Sequence, residues 1–125
     1  MQMVFETEFY TLYHDADRAI LLQQWRGGCP SEVFRATHTK SLRYFEESGC
    51  RHVVSDIRLA PPLPPADARW AAEEILGSYQ QAGLECLRVV RPLAAQTRQI
   101  ADNLGCYGMS VVVYDSLDEA LDSIK

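Results

Sequence analysis

Pro61, Pro62, Pro64 and Pro65 fill four of five consecutive positions, and no other stretch of this 125-residue sequence is so restrictive. Each proline fixes φ and removes a backbone donor, so the run must be an extended, stiff connector. On its N-terminal side, His52-Val53-Val54-Ser55-Asp56-Ile57-Arg58 reads as a short apolar strand running out into a polar tip. On its C-terminal side, the segment from Ala66 to Ala82, with Gly83 as its stop, sets Ala68, Ala71, Ala72, Ile75, Leu76 and Tyr79 on one helical stripe. Pro65 suits the first turn of that helix, where its missing N–H costs nothing. In open α/β sheets, binding sites lie at the carboxyl ends of such strands. Asp56 and Arg58 stand there: Asp56 to accept from a ligand donor, Arg58 to clamp a carboxylate or phosphate. The plainer alternative is a loop acceptor and a surface ion pair. The same helical arithmetic points Trp70 away from the buried stripe, which makes it an interface candidate beside a rigid loop.

The rest of the chain alternates strands and helices. Val4 to Tyr13 and Ala19 to Trp25 read as two strands joined by the polar turn His14–Arg18, hence an antiparallel hairpin ended by Gly27-Gly28. Pro30-Ser31 starts a helix over Glu32 to Ser48, with Ser31 as N-cap and Gly49 closing it in the left-handed conformation. Its stripe, Phe34, Thr37, His38, Ser41, Leu42 and Phe45, is unusually polar for a core face. Cys86 to Arg91 is a further β-rich run, and Leu93 to Leu104 a helix closed by Gly105. Met109 to Tyr114 is nearly all apolar, which implies burial on both faces. Ser116 and Glu119 form a capping box for a last helix burying Leu117, Ala120, Leu121 and Ile124. The order ββαβαβαβα predicts one α/β domain over 1–125. Its sheet is five-stranded and mostly parallel, with an antiparallel first strand and four helices.

A hydrophobic share of 47% and a charged share of 23% are those of an ordinary soluble globular protein. The net charge of −5 argues against nucleic acid, whose phosphates call for a basic patch. No apolar run approaches the ~18 residues of a membrane span. Met1 to Glu6 carries neither a basic region nor a long apolar one, so no secretory signal is expected and the cytoplasm is the expected location. Cys29, Cys50, Cys86 and Cys106 include no C-x-x-C pair, and His14, His38 and His52 do not supply a zinc set. Reduced, mostly buried thiols are expected, with no metal and no cofactor. Nucleotide-binding, nucleophile-elbow and metalloprotease motifs are absent from the sequence. Asp56, His38 and Cys29 are the residues an enzyme would use, but nothing in the sequence brings them together. Arg88, Arg91 and Arg98 surround the next strand end as a local basic rim.

Tyr13-His14-Asp15-Ala16-Asp17-Arg18-Ala19-Ile20-Leu21, Trp25-Arg26-Gly27 and His52-Val53-Val54-Ser55-Asp56 resemble bacterial STAS/SEC14-type proteins, the SpoIIAA-like single-domain chains. The resemblance implies a fold related to anti-sigma-factor antagonists and to the lipid-binding CRAL-TRIO domain. Those antagonists carry a phosphorylatable serine in a pattern like Asp-x-Ser. Here Asp56-Ile57-Arg58 has arginine in its place, so the phosphorylation switch does not carry over. The expected role is a non-catalytic regulatory module that binds a protein partner or a second copy. Its contact surface would comprise Ser55, Asp56, Arg58, the proline loop and Trp70. The alternative is a binding protein for a small apolar or lipid-like ligand, with His38 and Ser41 lining its cavity.

Overall fold

In the computed structural model, residues 1–92 and 110–124 are described. Among them six strands make one sheet in chain order: β1 (Gln2–Glu6), β2 (Tyr10–Asp15), β3 (Ile20–Arg26), β4 (His52–Leu59), β5 (Cys86–Val90) and β6 (Ser110–Tyr114). β1 to β3 form an antiparallel meander, and β3 to β6 run parallel. α1 (Ser31–Ser48) links β3 to β4. β4 leads into β5 through α2 (Pro65–Trp70), a π-helical turn (Ala71–Ile75) and α3 (Leu76–Gln81). α4 (Leu117–Asp122) comes after β6 and opens on Ser116, whose side chain accepts from the Glu119 N–H as the capping box requires. The protein is α/β with a mixed sheet. The helix expected over 93–104, with Arg98, and Cys106 lie outside the described residues. Among the described residues no helix is long and apolar enough to cross a membrane.

The sheet has one strand more than the sequence pattern implies. The run expected as a single strand, Val4 to Tyr13, is folded back on itself as β1 and β2. Thr7 makes the reversal: its hydroxyl accepts from the Phe9 N–H at 3.2 Å, and its own N–H donates to the Tyr10 carbonyl at 2.7 Å. A side-chain-supported turn of this kind needs neither glycine nor proline, the usual punctuation.

Strand alternation sorts the core onto two faces. Leu21, Val53, Leu87 and Val89 pack with Phe34 and Phe45 of α1 and with Ile75, Leu76 and Tyr79. Ile20, Leu22, Val54 and Val90 face the other way, against Ala120 and Ile124. β3 and β4 are therefore buried on both sides, as parallel strands usually are. β6 does not meet the same expectation. It pairs on its β5 side, and Ser110 and Val112 remain exposed.

The π-helical turn accounts for a second correction. Ala72, Ile75, Leu76 and Tyr79 are buried as the stripe predicts. The wider turn takes up one extra residue, so everything before it rotates out of phase. Asp67 is buried where Ala68 was expected, and Trp70 turns inward where Ala71 was expected. Trp70 packs edge-on against Phe34 at 6.2 Å between centroids and lies 6.2 Å from His38, with the Arg35 guanidinium 5.2 Å over its ring. It is half-buried between helices and is not turned away from the core as the arithmetic expects.

Ala19 closes the β2–β3 hairpin with φ 56, and its carbonyl accepts from the N–H groups of Arg51 and His52. A left-handed alanine costs about 1 kcal/mol, which glycine avoids at the expense of a more flexible unfolded chain. Ala19→Gly is expected to raise stability by about 0.5 kcal/mol net, read as a higher urea midpoint at unchanged m-value.

Candidate functional site

Asp56 and Arg58 are brought together at the carboxyl end of β4, between β3 and β5. They stand two apart on one strand and so share the α4 face of the sheet. Arg58 donates from Nε to Asp56 Oδ1 at 2.9 Å and from a terminal nitrogen to Oδ2 at 2.8 Å, with its backbone N–H at 3.2 Å. Gln24 Nε2 adds a donor to Oδ2 at 3.0 Å. Burial alone raises the Asp56 carboxyl, but these hydrogen bonds outweigh it and hold the group below its usual range. The acidic acceptor is thus already engaged within the chain, while the arginine stays partly open to solvent.

This pair belongs to a row that the sequence does not announce. Glu6, Thr11, Gln24, Asp56, Val90 and Tyr114 are successive register partners across all six strands. Arg26, two residues beyond Gln24, donates to Thr11 Oγ1 at 2.8 Å and to the Thr7 carbonyl at 2.6 Å, while Thr11 donates to Glu6 at 2.9 Å. Two arginines thus fold back over one polar row. The signal was legible only as the break from Ile20 and Leu22 to Gln24 and Arg26 on one face of β3. Of the residues expected to form a basic rim, Arg88 donates to Ser123 at 2.8 Å and Arg91 pairs with Asp115, while Arg98 lies outside the described residues.

Ser55 does not join Asp56 and Arg58. It sits on the opposite face, in register with Gln23 and Val89, toward the helices. The four expected contact residues are thus divided: Asp56 and Arg58 on the α4 side, Ser55 and Trp70 on the α1 side. Beyond Arg58 the chain becomes an apolar tip. Leu59 is 74% exposed and Leu63 is 43% exposed within the proline connector. Gly27, left-handed at the end of β3, donates to the Leu59 carbonyl at 3.0 Å and anchors the base of this tip.

The far end of the connector is anchored by a carboxylate that sequence reading missed. Asp67, only 2% exposed, accepts from Ser31 Oγ at 2.6 Å and from Arg35 Nε at 3.2 Å. Ser31 is therefore the first residue of α1 and a donor to α2; it does not cap α1, whose N-cap is Pro30. Both ends of the proline segment are fixed to neighbouring elements.

Of the remaining candidates Ser41 is buried, while His38 and Cys29 are partly buried. His38 lies among Phe34 at 4.7 Å, Trp25 at 4.8 Å and Trp70, and its buried Nδ1 has no hydrogen-bond partner among the described residues. Burial lowers its pKa to about 4. Ser41 is fully buried and shares a 2.7 Å hydrogen bond with the Tyr10 hydroxyl. Gln23 donates to the Tyr79 hydroxyl at 3.0 Å. Ser41 with Tyr10 and Gln23 with Tyr79 thus pair with one another between α1, α3 and the sheet, and His38 Nδ1 does not join them. Cys29, Cys50 and Cys86 are free thiols, and burial, with Asp67 nearby, raises Cys29. Among the described residues no group of His, Cys, Asp and Glu side chains is placed to hold a metal ion. Compared with known protein families and with curated proteins, the chain matches no family model and no curated relative.

Proposed function

We propose that the chain is a non-catalytic, cytoplasmic interaction module of STAS-like fold, and that it docks a protein partner through the tip at the end of β4. The observation that carries this reading is the exposure of Leu59, together with that of Leu63 within a proline segment fixed at both ends. Apolar side chains on a pre-ordered loop lose little entropy on binding. Arg58 flanks them as a rim cation. The contact surface is thus Arg58, Leu59, Pro61, Pro62 and Leu63, with Asp56 holding Arg58 in place. Ser55 and Trp70 lie on the α1 side of the sheet and are not part of this surface.

A non-catalytic role fits the state of the titratable groups. The Asp56 carboxylate is occupied by Arg58 and Gln24, His38 is packed among rings with its Nδ1 buried, and Cys29 is shifted away from the thiolate. Sequential strand order with parallel crossovers supports a STAS-like arrangement.

Leu59→Glu with Leu63→Glu tests the assignment, since both side chains are exposed and the double variant is expected to fold as the wild type does. Cross-linking mass spectrometry on intact cells is expected to yield adducts mapping to residues 58–63 of the wild type and to lose them in the variant. Sedimentation velocity of the purified proteins reveals whether the partner is a second copy. Identical adduct sets for both proteins would rule the tip out.

A further inference from the structure

A second surface lies on the opposite side of the sheet from β6. Among the described residues β1 pairs only with β2, so its outer edge presents N–H and C=O groups without a strand partner. Beside that edge runs an open groove of ≈ 300 Å³, lined by Phe5 and Thr7 on one wall and by Glu32, Val33, Ala36 and Lys40 of α1 on the other. Val33 is 38% exposed there. A sheet edge and a helix flanking one apolar groove is the geometry that accepts an extended peptide as an added strand. The short β1, irregular between Met3 and Phe5, limits such a strand to a few residues.

We infer that β1 and α1 together bind an extended segment of a partner protein carrying a basic residue, an apolar residue and an acidic residue at alternate positions. The chemistry of the groove sets this order for a strand added antiparallel to β1. α1 runs antiparallel to β3, and β1 runs parallel to β3, so α1 and β1 are antiparallel to each other. Lys40 stands at the Phe5 end, its ammonium 4.1 Å from the ring centroid, and Glu32 stands toward Thr7. Neither has an ion-pair partner among the described residues. Eight helical positions separate them by about 12 Å. Four strand residues span about 13 Å, and alternate side chains share a face. An added strand antiparallel to β1 therefore sets a basic residue against Glu32, an apolar one against Val33 and Ala36, and an acidic one against Lys40.

The test is a displayed library of random ten-residue peptides selected on the wild-type protein, with binding of the enriched peptides measured by fluorescence anisotropy. Enrichment of basic-x-apolar-x-acidic peptides is expected, with affinity falling at least 10-fold in Ala36→Arg, where an exposed alanine is replaced by a side chain that fills the groove. Lys40→Glu is expected to weaken the same peptides and to favour ones with a base at the last position. N-methylation of alternate peptide amides is expected to abolish binding in one register and spare it in the other, because only one set faces β1. Leu59→Glu is expected to leave these affinities unchanged, which separates this surface from the tip of β4. The inference fails if no such pattern is enriched, or if Ala36→Arg binds equally well. It fails also if Ala36→Arg abolishes a wild-type dimer, since the occupant is then a second copy of the chain.

Discussion

Asp67→Ala is expected to lower the unfolding free energy by about 3 kcal/mol, among the largest effects of any polar substitution outside the two apolar cores. The carboxylate is almost fully buried and accepts from Ser31 and Arg35, so its removal strands a buried hydroxyl and a guanidinium stacked on Trp70. Arg35 is partly exposed and can rehydrate, which keeps the loss at the lower end for a broken buried pair. Asp67→Asn retains an acceptor for Ser31 and is expected to cost about 1 kcal/mol. Urea unfolding monitored by tryptophan fluorescence measures both. Equal losses in the two variants would mean that size, not hydrogen bonding, is what position 67 supplies. The same variants also probe the tip, because Asp67 fixes the far end of the proline segment.

The second large effect is one of pH. His38 is neutral in the folded protein because burial lowers its pKa from 6.5 to about 4. In that interval the unfolded chain binds a proton that the folded chain refuses, so stability rises with pH and is fully present above about 6.5. As pH falls from 6.5 to 4, about 3 kcal/mol is lost from this one group. His52 is also lowered, by burial first and by Arg88, Arg51 and Arg18, and it adds in the same direction. Asp56, likewise held low, releases its share only below its ordinary value of 3.8. His38→Leu is expected to stay within about 1 kcal/mol of the wild type at pH 7 and to lose most of the slope between pH 6.5 and 4. Urea titrations at half-unit steps of pH give the comparison. An unchanged slope would place the titration elsewhere, His52 being the next candidate.

The two effects meet at one junction, where α1, the start of α2 and the carboxyl ends of the parallel strands come together. His38 contacts Trp70, Trp70 stacks under Arg35, and Arg35 holds Asp67. The chain of contacts ties the connector to the core. It also explains why a proline segment with exposed leucines can stay ordered without a covering element.

Local rules decided much of this molecule. Alternation placed Val53 and Val54 on opposite faces, the 3.6 period placed Phe34, Thr37, Ser41 and Phe45 under α1, and Gly49 in the left-handed region stopped that helix. The prolines fixed where β4 had to end. These features depend on neighbours a few positions away, so the residues themselves carry the information. What only the tertiary structure decided are the contacts between elements distant in sequence: Ser31 on Asp67, Gln24 on Asp56, Tyr10 on Ser41. A single π-helical turn rotated Trp70 inward and carried Asp67 into the core, because one extra residue shifts the phase of everything before it. No spacing in the sequence records such a turn, since its cost is offset by packing between α1 and α2, and packing exists only once the chain is folded.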